Sequence, residues 1–250
     1  MLKAERQDKI LELLDQETFM TVIDLAKLIN VSDMTIRRDI QELEKKKKLV
    51  RLYGGAQKLN IKEIELPTDK KITLHIEKKE YIGKLMNTLI QENDVVYLGA
   101  GTTIYYALPF ITKKKLLIVT NSLITFNYLI NHTTYKILLT GGEFLPTTEE
   151  FIGKHAESIF DTLNIDISFA ATNGIYNNNI TTSNSLEGEI QRAAFRSSKT
   201  KIIVADSTKF NTSDVFTFYK LSDLDAVITD NQLTETLFNH YSEFGKLINK

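Results

Sequence analysis

Residues 31–43 read VSDMTIRRDIQEL, and the pattern of these residues indicates the fold of the amino-terminal part of the chain. Apolar side chains at Ile36, Ile40 and Leu43 recur after four and three residues, which predicts a helix with one buried face. Ser32 precedes that helix and has the hydroxyl that an N-cap needs. The same periodicity leaves four polar side chains facing outward, namely Thr35, Arg37, Arg38 and Gln41.

Two more helices are predicted before this stretch. Residues 3–16 place their leucines and an isoleucine on one face, and residues 22–29 are mostly apolar. Thr21 is in position to cap the second helix, with the acidic Asp24 three residues later as in a capping box. A short turn at residues 30–31 separates the second helix from the third.

A small β-hairpin is predicted after the third helix. Residues 49–53 alternate like a strand and stop at Gly54 and Gly55. Three helices with a tight turn between the second and third, followed by a hairpin, form a winged helix-turn-helix, whose third helix enters the major groove of DNA. The sequence therefore predicts an α+β winged helix-turn-helix domain over 3–56, with the helix-turn-helix at about 20–39.

Five residues of this domain are candidate DNA contacts on the pattern alone. Arg37 and Arg38 can each pair with guanine through two hydrogen bonds. Ser32 and Thr35 lie at the start of the third helix, where amides and hydroxyls can hold a phosphate. Arg51 on the hairpin could contact a further phosphate and position the domain without reading sequence.

The charge balance of this part of the chain is compatible with binding to DNA phosphates but does not establish it. The first 60 residues carry 12 Lys and Arg against 10 Asp and Glu, whereas the whole chain has a net charge of −1. Residues 45–48 are four lysines in succession, a run that is also typical of a solvated surface. The alternative is a plain helical bundle in which the two arginines form surface salt bridges with Asp39 or Glu42.

The composition excludes several classes of protein. The 250 residues are 42% hydrophobic and 25% charged, as in ordinary globular proteins, and the chain has no cysteine for disulfides, thiolate metal sites or nucleophiles. No apolar run approaches the ~20 residues that cross a bilayer, and the polar first residues do not resemble a signal peptide. The four histidines lie far apart, so we expect no metal and no cofactor. These features predict a cytoplasmic protein.

A second domain is predicted from residue 79 to residue 250, after a charged linker over 57–78 that contains Pro67. Short apolar runs alternate there with helical stretches, which is typical of an α/β domain with a mostly parallel sheet. The predicted strands are Val95–Leu98, Leu116–Val119, Lys136–Leu139, Ile167–Ala171, Lys201–Ala205 and Ala226–Ile228.

Each predicted strand is followed by small or hydrogen-bonding residues. Because ligands bind outside the carboxyl ends of the strands in open α/β sheets, these endings predict a polar crevice at one edge, although the same residues also populate ordinary turns. Residues 99–103 read GAGTT, and two glycines followed by two hydroxyls could hold a single phosphate. The stretch lacks the third glycine of a dinucleotide fingerprint and the lysine of a P-loop.

The motifs of the first domain are VSDMTIRRDI at 31–40, LE at 43–44, LVR at 49–51 and GGA at 54–56. Together they resemble the signature of DeoR-family bacterial transcriptional regulators, and the resemblance covers residues 3–56. Lys47 stands where the family usually has glycine, so we expect a differently shaped helix end because lysine takes a positive φ less easily. Tyr53 stands where the family usually has histidine and can still donate a hydrogen bond to phosphate.

The resemblance continues more sparsely in the second domain, at residues 99–103, 120–122, 141–142, 166–175, 181–182 and 206–210. In the family this domain resembles ribose-5-phosphate isomerase and senses phosphorylated sugars. The resemblance implies that Gly99, Gly101, Thr102 and Thr103 hold the phosphate and that Lys209 supplies a positive charge. It also implies an effector site that includes Asn121, with Asp166, Asn173 and Glu187 as candidates for the sugar hydroxyls. The family usually has paired glutamates where this chain has Leu186 and Glu187.

Two short stretches, residues 148–153 and 191–192, resemble the lactose phosphotransferase repressors within the family and imply tagatose 6-phosphate as the inducer. The sequence thus predicts a repressor of a sugar-utilisation operon, bound to double-stranded operator DNA as a dimer or tetramer and released by a phosphorylated sugar. The alternative is a sugar-phosphate isomerase with an appended DNA-binding module, which needs a carboxylate base and a donor for the enediolate. The single acid of the fourth strand, Asp166, without a glycine-rich lysine loop, favours a regulator that is not an enzyme.

Overall fold

The computed structural model describes residues 2–16, 20–46, 48–52, 54–58, 60–61 and 66–250. The chain divides into two units. One contains residues 1–61 together with 234–240, and the other contains residues 62–233 together with 241–250.

Three helices and a small antiparallel sheet form the first unit. Its elements in chain order are α1 (Lys3–Gln16), β1 (Met20–Thr21), α2 (Val22–Ile29), α3 (Asp33–Lys45), β2 (Leu49–Leu52), β3 (Gly55–Lys58) and β4 (Asn60–Ile61). Strand β3 pairs with β2 on one side and with β1 on the other. The predicted three helices and hairpin are confirmed. The two-residue strand β1 was not predicted, because it is too short to show as an alternation in the sequence.

Side-chain caps set the boundaries of α2 and α3. The Thr21 hydroxyl accepts a hydrogen bond from the Asp24 amide at 3.0 Å, and the Ser32 hydroxyl accepts one from the Thr35 amide at 3.3 Å. Asn30 between the two helices adopts a left-handed φ of 59° and donates its N–H to carbonyls near the end of α2. Asparagine tolerates this conformation better than most residues, so the chain reverses within a few residues, as the sequence predicted.

The remaining elements build the second unit, apart from the greater part of α10. They are α4 (Thr68–Lys71), α5 (Ile76–Leu89), β5 (Val95–Leu98), α6 (Thr102–Ala107), β6 (Leu117–Thr120), α7 (Leu123–His132), β7 (Lys136–Leu139), β8 (Glu143–Leu145), β9 (Glu150–Ile152), α8 (Lys154–Ser158), β10 (Ile165–Ala171), β11 (Gly174–Tyr176), β12 (Asn179–Thr182), α9 (Ser185–Arg196), β13 (Ser198–Val204), β14 (Thr212–Ser213), β15 (Phe216–Lys220), β16 (Ala226–Ile228), α10 (Glu235–Ser242) and β17 (Leu247–Ile248). Short 3-10 helices cover Leu108–Phe110, Ile159–Thr162, Ser207–Lys209 and Leu221–Asp223.

A seven-stranded sheet of order β17-β16-β13-β10-β5-β6-β7 is the centre of the second unit, and each neighbouring pair is parallel. The predicted α/β class and all six predicted strands are confirmed, with ends that shift by up to three residues. The strands that were not predicted have between two and five residues. They are β17, the hairpin β8–β9, β14 and the antiparallel sheet β11-β12-β15.

Apolar side chains cover both faces of this sheet, as a parallel sheet requires. Val96 and Leu98 of β5 pack into one core with residues of α5 and α6, such as Ile82 and Ile104. Tyr97, between them in the strand, points to the opposite face and packs into a second core with residues of α8 and α9. Among the helices of the described residues, none has both the length and the apolarity needed to cross a bilayer.

The predicted linker over 57–78 is wrong at both ends, because β3 and β4 of the first unit extend to Lys58 and Ile61. Helix α4 and the first turn of α5 lie inside that range, and Thr68 is buried and donates its amide to the Thr147 carbonyl at 2.9 Å. A four-residue helix without apolar periodicity has no signal in the sequence. Its position on the second unit depends on contacts with residues that are distant in the chain, such as Thr147.

Helix α5 approaches α6 closely at Gly83, in the middle of α5. Gly83 is buried in α5, and a Cβ at this position would lie 2.6 Å from the Ala107 Cα and 3.0 Å from a ring carbon of Phe110. The absence of a side chain at residue 83 therefore sets the distance between the two helices.

Gly83→Ala should destabilise the protein by about 1–3 kcal/mol, because the added methyl group forces α5 away from α6. Inside an unconstrained helix the same change would stabilise by about 1 kcal/mol, so the sign of the effect is diagnostic. Urea unfolding of the purified protein measures it. Lys84→Ala, on the exposed side of the same helix, is the control and should change stability by less than about 0.5 kcal/mol. A Gly83→Ala protein more stable than wild type would contradict the close packing.

Candidate functional site

Helix α3 presents a polar and largely exposed face in the first unit. Arg37, Arg38 and Gln41 are exposed and Thr35 is half-buried, whereas the apolar stripe predicted from the sequence is buried. Met34 is 74% exposed at the start of the same helix. The sequence analysis did not assign this residue, although its position away from the stripe was visible. An exposed apolar side chain there can contact the methyl group of a thymine.

The acidic residues beside the two arginines have other partners. Asp39 is 1% exposed and forms an ion pair with Arg6 of α1. Glu42 accepts a hydrogen bond from Lys3 at 2.7 Å, and this bond is the main reason that the pKa of Glu42 is lowered. Arg38 lies 3.8 Å from Glu42 and stays 80% exposed. This arrangement favours the DNA-binding interpretation, in which the arginines remain available to DNA, over the plain helical bundle, in which they form surface salt bridges.

The other predicted DNA contacts lie at the start of α3 and on the wing. The Ser32 and Thr35 hydroxyls are 2.9 Å apart, in an exposed position. Arg51 is exposed on β2, where its amide donates to Glu44 at 3.3 Å. Tyr53 and Lys47, the two departures from the family pattern, lie outside the described residues.

In the second unit, the loop after β5 lies at the carboxyl edge of the sheet. Gly99 donates its amide to the Phe169 carbonyl at 2.9 Å, so this amide fixes the loop on β10. The prediction that Gly99 holds a phosphate is therefore corrected to a positioning role. Gly101 has a φ of 124°, and a Cβ there would lie 2.9 Å from the Ala171 Cβ. Both the backbone conformation and the space require glycine at residue 101.

Buried polar residues continue from this loop to the neighbouring strand ends. Thr102 and Thr103 begin α6 and are buried. Asn121, after β6, accepts a hydrogen bond from the Tyr97 hydroxyl and donates one to Glu150, both at 2.9 Å. Burial, followed by the charge of Glu150, raises the pKa of Tyr97, which therefore remains a neutral donor. The predicted site residue Asn121 thus orients a buried carboxylate.

Three lysines from distant parts of the sequence meet at the same edge. Lys79 of α5 is 3% exposed and donates to the Lys71 carbonyl at 2.7 Å, while the Lys71 ammonium donates to Asn173, after β10, at 3.4 Å. The pKa of Lys79 is lowered to about 8, chiefly by burial and also by the charges of Lys209 and Lys71, while the charge of Asp206 acts in the opposite direction. An ammonium in this position is stabilised by an anion.

Asp206 supplies the negative charge on the other side of the lysines. Burial acts to raise its pKa, but the charge of Lys209 and the hydrogen bonds from Thr208 lower it overall. The Asp206 Oδ2 atom is buried and has no hydrogen-bond partner within the described part of the chain. Because buried acceptors are normally satisfied, this oxygen can take a hydroxyl hydrogen of a ligand.

Glu187 and Asn173 also have partners around the ends of β10 and β12. Glu187 accepts hydrogen bonds from Thr182 at 2.6 Å and from Thr148 at 3.4 Å. Asn173 donates to Asp214 at 3.0 Å. Carboxylates and amides held in this way have the chemistry to bind sugar hydroxyls.

Asp166 lies at the opposite end of β10, and its assignment to the effector site is wrong. Its carboxylate accepts hydrogen bonds from Lys199 at 2.7 Å and from the Val95 amide at 2.9 Å, and these bonds lower its pKa. At about 3.3 Å per residue, roughly 16 Å of strand separates Asp166 from Ala171. Its hydrogen bonds tie together the amino ends of neighbouring strands.

The sequence analysis missed four residues of this edge, namely Lys71, Lys79, Glu150 and Asp206, the last in its role as a hydrogen-bond acceptor. Lys71 fell within the predicted linker, and Lys79 follows another lysine in a charged stretch. Nothing in the residue types distinguishes a buried lysine from a solvated one. Asp206 was visible as a polar residue after a strand, since it immediately precedes the 3-10 helix that contains Lys209.

Comparison with known families agrees with both units. The profile described as DeoR-like helix-turn-helix domain matches residues 6–62, and the profile described as DeoR C terminal sensor domain matches residues 74–231. This chain belongs to the DeoR family. Its first unit is therefore a helix-turn-helix DNA-binding domain, and its second unit is the family's sensor domain.

Relatives of this DeoR-family chain are similar over its full length. It is 34% identical to the lactose phosphotransferase system repressor of Streptococcus mutans, with 100% of both chains covered. It is also 34% identical to the repressor of the same name from Lactococcus lactis, with 99% of both chains covered, and 35% identical to that of Staphylococcus epidermidis, with 92% of this chain and 93% of the relative covered.

Solved structures are much more distant from this DeoR-family protein. A D-ribose-5-phosphate isomerase in complex with phospho-erythronic acid matches at 16% identity and a TM-score of 0.41, over 54% of this chain and 53% of the isomerase. Ribose 5-phosphate isomerase A of Neisseria gonorrhoeae matches at 13% identity and a TM-score of 0.40, over 55% of each chain. At these scores the similarity carries no argument about the site.

The buried Lys79 should make stability depend on pH in a defined direction. Because its folded pKa of about 8 is below the ordinary lysine value of 10.5, the unfolded chain binds more protons between these values. Folding stability then rises with pH in that interval. Relative to Lys79→Met, the free energy of unfolding of the wild type should increase by about 1–3 kcal/mol between pH 7 and pH 10.

Urea unfolding at both pH values measures this gain. Lys84→Met is the matched control, because this exposed lysine of the same helix keeps its contact with water when the chain folds. A difference between wild type and Lys79→Met that is the same at pH 7 and pH 10 would contradict the buried, desolvated ammonium.

Proposed function

We propose that this protein represses a sugar-utilisation operon and that a phosphorylated sugar, bound at the carboxyl edge of the sensor sheet, releases it from operator DNA. The observation that carries the proposal is the buried ammonium of Lys79, with Lys71 and Lys209 as its neighbours. Concentrated, partly desolvated positive charge is unfavourable on its own and becomes favourable when a phosphate dianion binds.

The phosphate is proposed to bind between these lysines and the loop of residues 99–103. The absence of a side chain at Gly101 lets the loop lie close against Ala171, and Thr102 and Thr103 bring two buried hydroxyls to the same edge. Hydrogen bonds to an ionised group are roughly twice as strong as neutral ones. This combination of cations and hydroxyls favours a phosphate over a neutral sugar.

The sugar part is proposed to bind the acidic and amide side chains beyond the lysines. Asp206 has an open acceptor, and Glu187 and Asn173 are oriented by threonine and aspartate partners. Hydroxyls that donate to such carboxylates also leave their oxygens free to accept from amides. Tagatose 6-phosphate is the first effector to test, because the relatives are named lactose phosphotransferase system repressors.

Release requires that the sugar phosphate binds one state of the protein more tightly than the other. An effector with equal affinity for the DNA-bound and DNA-free states would shift nothing, however tightly it bound. Lys71 and Lys79 are carried by α4 and α5, which follow the first domain directly in the chain. A ligand that draws these lysines together therefore acts on the first elements after the DNA-binding domain.

The second candidate function, sugar-phosphate isomerisation, has weaker support. Glu187 and Glu150 are carboxylates at the right edge, but each accepts hydrogen bonds from protein donors. Asp166, the acid that the sequence placed in the fourth strand, ties the opposite edge together. Turnover of ribose 5-phosphate by the purified protein tests this function directly, and we expect none.

Arg37→Ala is expected to weaken operator binding by about 1–3 kcal/mol, a loss of roughly tenfold to a hundredfold, because a bidentate arginine contact to guanine is removed. Fluorescence anisotropy with labelled operator at fixed salt measures it. Lys9→Ala, on the exposed surface of α1, is the control with the same change in charge. Equal affinities of Arg37→Ala and wild type, with unchanged circular dichroism, would argue against α3 as the recognition helix.

Lys209→Ala, and separately the double change Thr102→Val with Thr103→Val, should leave operator binding intact in the absence of sugar. Each should raise the sugar-phosphate concentration needed for release about tenfold to a hundredfold, because charge-assisted hydrogen bonds of about 1.5–3 kcal/mol are lost. The measurement is release of labelled operator against effector concentration.

Lys199→Ala is the matched control for release, because this lysine pairs with Asp166 at the opposite edge of the sheet. It should give the wild-type release curve. If the Lys209 and threonine variants also gave that curve, the proposed effector site would have to be abandoned.

A further inference from the structure

The seven-stranded sheet has an open edge at β7. The Lys136 amide donates to the carbonyl of Leu116, the residue before β6, at 3.3 Å, and the amide of Thr140, the residue after β7, donates to the Thr120 carbonyl of β6 at 3.0 Å. Successive amides of a strand point to opposite sides, so the amides of Ile137 and Leu139 point away from β6. Within the described ranges, no strand pairs with that side of β7.

Apolar side chains follow this open edge. Strand β7 reads KILL, and its isoleucine and two leucines are only half-buried. Natural edge strands are normally protected by charges, proline, a bulge or a covering element, because an open edge is a template for another strand. A single lysine, Lys136, is the charged residue of this strand.

Helix α7, which packs against β7, extends the apolar surface. It reads LITFNYLINH, and its buried residues are Thr125 and Leu129. Leu123, Phe126 and Ile130 lie on the other side of the helix, at spacings of three and four residues. Leu123 and Phe126 are half-buried and Ile130 is 51% exposed.

Charge is separated along the same edge. Lys136 begins β7, and His132, shortly before it, lines a cavity of about 790 Å³ together with Lys113, Lys114 and Lys115. Glu143 and Glu149 lie after the carboxyl end of the strand, where the Glu149 carbonyl accepts the Leu123 amide at 2.9 Å. One end of the edge is therefore basic and the other is acidic.

We propose that this edge is an interface between two copies of the chain, in which β7 pairs antiparallel with β7 of the second copy about a two-fold axis. The outward amides and carbonyls of the strand then gain partners. The antiparallel arrangement brings the basic end of each copy beside the acidic end of the other. With the axis perpendicular to the sheet, the two α7 helices lie on the same face and their apolar stripes meet.

Several properties of the edge favour a second copy over a different protein. The surface is self-complementary in hydrogen bonding and in charge, and a two-fold interface of this kind is closed because β7 of each copy becomes an inner strand. A stable dimer buries about 800 Å² on each partner, which a four-residue strand cannot supply, so the stripe on α7 is a necessary part of the interface. The proposal does not depend on the effector site.

The test is sedimentation velocity over a range of protein concentrations, with Ile130→Glu compared with wild type. A buried charge in the α7 stripe should weaken association of the two copies at least tenfold. Val215→Glu introduces the same charge at a position that is 63% exposed in the same unit, and it should leave association unchanged. A monomeric wild type, or equal association of wild type and Ile130→Glu, would overturn the proposal.

A second measurement keeps the test valid if Ile130→Glu fails to fold. The chain has no cysteine, so Phe126→Cys provides one thiol near the middle of α7, where the proposed two-fold axis passes, and Val215→Cys provides one away from it. Mild oxidation should join Phe126→Cys into disulfide-linked dimers much faster than Val215→Cys. Equal, slow cross-linking of both variants would contradict the interface. Both outcomes are independent of sugar phosphate and therefore of the proposed effector.

Discussion

The shared direction of all seven strands in the large sheet is the constraint on which the rest of the second unit depends. Because the strands are parallel, each one ends at the same edge, and the segments that follow them are collected there. Residues separated by more than a hundred positions, such as Lys71 and Asn173, become hydrogen-bonded neighbours. The opposite edge is stabilised by a different set of contacts, of which the bonds of Asp166 are the example.

Buried charged side chains determine the chemistry of this edge, and their burial lowers the stability of the folded chain. Lys79 is removed from water, and its pKa falls to about 8 as a result. Asp206 stays ionised because Lys209 and Thr208 compensate for its burial. A folded chain that holds such groups without a ligand is less stable than it would be with apolar residues in their place. In the function proposed above, this free energy becomes available when the effector binds.

The DNA-binding unit follows a more local logic. The boundaries of α2 and α3 are set by Thr21, Asn30 and Ser32 through bonds that span three or four residues. The tertiary contribution that matters for function is the ion pair of Arg6 with Asp39. This ion pair engages the Asp39 carboxylate with α1, while Arg37 and Arg38 of α3 stay exposed and Glu42 lies 3.8 Å from Arg38.

Periodicity, caps and turn residues act within a few positions, so they can be read from the sequence. They were enough to predict the helix-turn-helix, the α/β class of the second unit, six of its strands and the polar character of the carboxyl ends of those strands. Only the tertiary structure decided which polar residues meet. It placed Asp166 at the wrong edge for an effector, gave Gly99 a positioning role, and buried Lys79 beside Asp206. Residue type does not reveal burial or the end of a strand at which a side chain lies, since both depend on neighbours that are distant in the chain.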